Sequence, residues 1–210
     1  MLQFINDYLG LQQAPYDDTM PEILPKILVT VATSSDKMSL SGQTPFSITL
    51  RAVVEGDRPV TFSTHRTIFW PRNQALFEGG LSFKDVKTGN FAARTRFQVC
   101  RMLPDTISAS DESVHKLPAQ ISRAPPYEVT FDFRIEGDSP RSTGHGTGLE
   151  IGHEYEIGLG TERSALSWWK MGSKIEVFAA PNQHRSRTVG AGVPELQMIM
   201  TNTALFKVVK

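Results

Sequence analysis

The chain predicts an all-β fold, specifically an antiparallel immunoglobulin-like β-sandwich with a short N-terminal helix or arm. Three observations lead there. Tyr127, Val129, Phe131, Phe133 and Ile135 alternate with Glu128, Thr130, Asp132, Arg134 and Glu136, the period-two pattern of a half-buried strand. Leu149, Gly152 and Tyr155 then form L-x-x-G-x-x-Y, followed by Ile157 and Leu159. In immunoglobulin-type sandwiches a tyrosine at such a corner buries its ring and bonds its hydroxyl to the upstream backbone. Finally, short strand-like runs recur with turn residues between them, which favours a sandwich or barrel over a parallel α/β sheet.

Composition narrows the function classes. At 210 residues the chain is long enough to bury a core without covalent staples. Lysine plus arginine equals aspartate plus glutamate at 22 each, so no net field steers it to nucleic acid, and no nucleic-acid partner is expected. The single cysteine, Cys100, cannot close an internal disulfide and reads as a small buried residue. No apolar run approaches the ~20 residues that span a bilayer, and the opening residues lack the pattern of a signal peptide. The expectation is a cytoplasmic protein with no membrane association.

In chain order, residues 1–26 read as an N-terminal helix and a proline-rich arm. Leu2, Ile5 and Leu9 share a helical face, and Pro15, Pro21 and Pro25 punctuate the arm after it. Residues 27–210 read as a single β-sandwich domain. Ile27, Val29 and Val31 begin its strands, and Phe46, Ile48, Leu50 and Ala52 alternate against Ser47, Thr49 and Arg51. Glu55-Gly56-Asp57 then turns into Pro59-Val60-Thr61-Phe62, which predicts an early hairpin. A strand is expected near 97–102, and a long surface connection at 103–126, where Pro104, Pro118, Pro125 and Pro126 accompany serine and aspartate. Leu196, Met198 and Met200, then Phe206 and Val208, predict terminal strands tied into a sheet.

Phe46-Ser47-Ile48-Thr49-Leu50, Asp57-Arg58-Pro59-Val60-Thr61-Phe62, the Leu149, Gly152 and Tyr155 corner, and Trp168-Trp169 with Gly172 together resemble a group of uncharacterised proteins from filamentous fungi. The resemblance spans most of residues 27–180 and consists of turn and core residues. It implies a β-sandwich of unknown role and carries over no catalytic residue.

The densest chemistry lies in 144–156, where His145 and His153 accompany Glu150, Glu154 and Glu156. These are metal-type ligands, but H-E-x-x-H fails because Ile157 occupies the fifth position and the segment reads as strand. No metal and no cofactor is expected. Gly144, Gly146 and Gly148 miss the dinucleotide fingerprint and read as a hairpin loop. Trp168 and Trp169 are adjacent and so point opposite ways on a strand. One is expected in the core and the other, beside Lys170, exposed or lining a pocket as an anchor, with core packing of both, helped by a bend at Gly172, as the equal alternative. His65-Arg66 and Trp70-Pro71-Arg72 gather imidazole, guanidinium and indole behind a strand, a group suited to a carboxylate or phosphate. His115 with Asp111-Glu112 is a further acid–base candidate.

The first expectation for function is a non-enzymatic binding module, holding a protein or small apolar ligand through loops or a sheet edge, with Trp70, Arg72, Trp168, Trp169 and Lys170 as binding residues. The alternative is a cofactor-independent isomerase, cyclase or dehydratase acting on a small metabolite, with His65, Arg66, Asp132, His145, His153 and Tyr155 as acid–base and electrostatic groups. A third possibility is a structural or self-associating protein, for instance a homodimer.

Overall fold

The computed structural model describes residues 21, 23–41, 44–70, 79–93, 106–133, 148–178, 184–186 and 194–210. The expected N-terminal helix, the strand near 97–102, Cys100, Arg72 and His145 lie outside the described residues. Those that are described form fourteen strands and one short helix, so the all-β expectation holds.

The strands are β1 (Ile27–Thr33), β2 (Lys37–Ser39), β3 (Phe46–Val54), β4 (Val60–Ser63), β5 (Leu81–Asp85), β6 (Thr106–Ser108), β7 (Val114–Leu117), β8 (Tyr127–Phe133), β9 (Glu154–Leu159), β10 (Ala165–Leu166), β11 (Trp169–Met171), β12 (His184–Ser186), β13 (Leu196–Met200) and β14 (Ala204–Val209). The helix α1 (Lys174–Val177) opens on a capping box: the Ser173 hydroxyl accepts the Glu176 amide, and the Glu176 carboxylate accepts the Ser173 amide.

A five-stranded sheet runs β10-β13-β1-β3-β8 and a four-stranded one β2-β14-β9-β5. Two smaller sheets run β11-β4-β7 and β12-β6. Most pairs are antiparallel, but β1 runs parallel to β13 and β2 parallel to β14, so the two larger sheets are mixed. Both parallel pairs join an N-terminal strand to a C-terminal one, and the intervening chain supplies the crossover that parallel neighbours require.

Alternation translates directly into burial. In β3 one side, Phe46, Ile48, Leu50, Ala52 and Val54, points inward, and in β14 Phe206 and Val208 do the same. These inward rows belong to one hydrophobic core shared by the two larger sheets and by β4, β7 and β11. Phe206 is the clearest link, its ring centroid 5.1 Å from Phe46 and 5.7 Å from Phe83. Tilted and edge-on ring pairs of this kind add about 0.5–1.5 kcal/mol beyond simple burial.

Two expectations are corrected. The predicted β3–β4 hairpin does not form: β3 pairs with β1 and β8, whereas β4 pairs with β7 and β11. The turn at 55–59 instead carries the chain between sheets, because all four residues of β4 are buried and need cover on both faces. Its polar members are satisfied there, the Thr61 hydroxyl donating to the Gly172 carbonyl at 2.8 Å and Ser63 bonding Ser113 at 3.2 Å. The stretch 103–126, expected as a connection, contains β6 and β7, which bury Ile107, Val114 and Leu117. Among the described residues no helix is long and apolar enough to cross a membrane.

Candidate functional site

The residues singled out in the sequence separate into two surface sites and a set of buried positions. The first site grows from the turn after β4. Thr67 donates its amide to the Thr64 carbonyl at 3.1 Å, closing a turn whose third residue, Arg66, has φ +57°. That region ordinarily takes glycine or asparagine. The Thr67 hydroxyl bonds the Thr64 carbonyl and accepts the Phe69 amide, so the turn is held from inside. His65 stacks on Trp70 with ring centroids 3.9 Å apart. The Trp70 indole nitrogen is buried and has no hydrogen-bond partner among the described residues.

The Ile68 amide donates to the Arg163 carbonyl at 3.1 Å, which ties this turn to the bend before β10. Arg163 has φ +66°. Arg66 and Arg163 are the only non-glycine residues with positive φ among those described, and both line one groove of about 560 Å³. Glu162, Ser164, Ser167, Glu195 and Gln197 complete its polar walls. The groove is therefore lined by two arginines, two glutamates, serines and a glutamine, residue types that suit a polar ligand with at least one acidic group. Arg66 is exposed, and among the described residues no carboxylate lies within salt-bridge range of it. Arg163, Glu162 and Glu195 carry no motif, so nothing in the sequence singles them out.

The second site is at the corner before β9. Tyr155 is 2 % exposed, and its hydroxyl accepts the Glu150 amide at 3.0 Å, the bond expected of a tyrosine corner. Burial pushes its hydroxyl pKa up. The Tyr155 oxygen is engaged with backbone and its ring packs against Phe206. His153, partly exposed, places Nδ1 2.5 Å from Asp85 Oδ2 and Nε2 3.4 Å from Glu150 Oε2. Asp85 is buried, and its other oxygen accepts the amides of Lys87 and Thr88 at 2.8 Å each. The bond to His153 and these amide bonds hold its pKa down at about 2.

The remaining candidates fall elsewhere. Trp168 and Trp169 are both buried, so of the two readings core packing of both holds and the exposed anchor does not. They do point opposite ways, but each finds a core: Trp169 joins the main one, and Trp168 joins a smaller cluster of Ile107, Val114, Val177 and Phe178. Lys170, on β11 beside β4, is half-buried. Asp132 is exposed on β8, in a different sheet from Tyr155. His115 lies on β7, not in a loop, against Phe62 and Tyr127. Burial, and then the charge of Lys174, push its pKa down, and burial alone pushes the Tyr127 hydroxyl up to about 12. Among the described residues no group of three or more His, Cys, Asp or Glu gathers in metal-binding geometry. No protein family, no curated protein and no solved structure matches this chain.

Proposed function

We propose that this protein is a non-enzymatic binding module, an immunoglobulin-like β-sandwich whose loop-built groove holds an acidic segment of a partner protein. The observation that carries this reading is the convergence of Arg66 and Arg163 on one groove, each in a left-handed backbone conformation. Such a conformation costs on the order of 1–3 kcal/mol at a non-glycine residue, and strain of this kind gathers at ligand clamps. The buried tyrosine corner supports the immunoglobulin-like description. The polar lining argues against the apolar ligand and for a polypeptide carrying Asp, Glu or a terminal carboxylate.

The test is binding to an array of peptides that vary in acidic content, using the intact chain and the variants Arg66→Asn and Arg163→Asn. Asparagine keeps the left-handed backbone accessible while removing the charge. A hydrogen-bonded charge contributes about 1.5–3 kcal/mol, so each variant is expected to weaken acidic-peptide binding by roughly tenfold or more. Binding that ignores acidic content, or that survives both substitutions, refutes the proposal.

The alternative of a cofactor-independent acid–base enzyme has one specific observation in its favour, a buried carboxylate orienting the imidazole of His153. It requires a turnover that His153→Ala abolishes. The binding reading is preferred because His65 lies in the turn after β4, Asp132 on β8 and His153 at the corner before β9, and none of the three lines the groove that Arg66 and Arg163 share.

A further inference from the structure

We propose that Glu195 sets the specificity of the groove that Arg66 and Arg163 share, so that the bound segment carries a lysine or arginine beside its acidic residue and purely acidic segments are disfavoured. This rests on the groove being the binding site, as argued above.

The strand that carries Glu195 sets its direction. In β13 Leu196 and Met198 are buried, so Glu195 and Gln197, which flank Leu196, share the opposite side and are exposed. Gln197 stands opposite Ala165 of β10, and the next pair, Leu166 with Leu196, is buried. Glu195, Gln197 and Ala165 all line the groove, which therefore runs over the outer face of the β10–β13 pair.

The backbone on either side of Glu195 is fixed. The Trp169 indole nitrogen donates to the Pro194 carbonyl at 3.0 Å, and Trp169 is part of the main core. The Met198 amide donates to the Ser164 carbonyl at 2.9 Å, which ties β13 to the bend that holds Arg163. A charge on a wall held in this way discriminates between ligands, because its supporting backbone does not yield to an ill-matched one.

Four charged residues line the groove, Arg66, Glu162, Arg163 and Glu195. Glu162 and Arg163 take part in interactions within the chain. Arg66 and Glu195 are exposed, and neither has a salt-bridge partner among the described residues. They share one groove without pairing with each other, so a positive and a negative group stand apart there, each still hydrated. A segment with one acidic and one basic side chain meets both. A segment with two acidic side chains meets Arg66 and brings its second carboxylate towards Glu195, and a repulsive contact of this kind is what separates wrong partners from right ones. Alternate side chains of an extended segment face the same side, so the acid and the base stand two positions apart.

The test is fluorescence anisotropy of the intact chain with three synthetic hexapeptides, blocked at both ends and each made in both orders. Each carries an aspartate and, two positions away, a lysine, a glutamine or a second aspartate. The lysine peptide is expected to bind roughly 2–5-fold more tightly than the glutamine peptide, the scale of an exposed ion pair, and the second aspartate to weaken binding below that of glutamine. Glu195→Gln, on an exposed side chain, is expected to remove the difference between the peptides, and Glu195→Lys to invert their order. Equal binding of all three peptides, with Arg66→Asn still weakening each of them, overturns the role of Glu195 and leaves the groove reading standing. A preference for lysine that survives Glu195→Gln overturns that role equally. Binding indifferent to Arg66→Asn and Arg163→Asn takes away the groove reading itself, and this inference with it.

Discussion

Replacing Tyr155 with phenylalanine removes one oxygen and leaves the ring where it is, so it isolates the hydrogen bond at the corner. The residue is 2 % exposed, and its ring lies 6.0 Å from Phe206 and 6.4 Å from His153, contacts that phenylalanine keeps. The loss is confined to the acceptor of the Glu150 amide at 3.0 Å. A hydrogen bond of this kind contributes a net 0.5–1.5 kcal/mol or so. Glu150 is itself exposed, so water replaces part of the lost bond and the expected cost is about 1 kcal/mol. For a chain of this length that lowers the melting temperature by roughly 2–4 °C. Urea denaturation is the more direct assay: the midpoint should fall while the slope stays constant, since no large surface change accompanies the substitution. A variant within about 0.3 kcal/mol of the parent would show that the corner bond does not hold the turn. If the hydroxyl took part in chemistry, the same substitution would remove an activity without a matching loss of stability.

The same packing and electrostatics set two further outcomes. Phe206→Ala empties a site bounded by Phe46, Phe83 and Tyr155 and should cost about 3–5 kcal/mol in urea or thermal unfolding; a loss under about 1 kcal/mol would mean that the two larger sheets do not depend on this contact. The Asp85 pKa is lowered from 3.8 to about 2 in the folded chain, so its stabilisation is complete above 3.8 and lost as pH falls through about 2. The gap in urea midpoint between the parent and Asp85→Asn should therefore narrow across that interval, and a gap constant from neutral pH to pH 2 would contradict the assignment.

The parts of the fold legible in sequence are those whose cause is local. Period-two alternation in β3, β8 and β14 arises because side chains leave a strand on alternate faces, so burial of Phe131 and Phe206 can be read without knowing their neighbours. The tyrosine corner is equally local, since donor and acceptor are five residues apart. Legibility fails where a residue's environment is supplied from far along the chain. Adjacent tryptophans imply one at the surface only if there is a single core, whereas Ile107, Val114 and Phe178 make a second one around Trp168. The β3–β4 hairpin fails for the same reason: turn residues show that the chain reverses, and cannot show whether the next strand returns to the same sheet.

The two sites divide along this line as well. Residue chemistry by itself marks His65, Arg66 and Trp70 as one group and His153 as an acid–base candidate, because neighbours in sequence on a turn are neighbours in space. Only the tertiary structure sets Arg163 beside Arg66, through the Ile68 amide, and Asp85 against His153 across 68 residues of chain. Pairing of β5 with β9 brings Asp85 opposite Tyr155, and a one-residue slip of β5 would turn Asp85 to the other face, away from His153. Local composition determined which groups were available, and strand register, a long-range property governed by burial of the whole core, decided which of them meet.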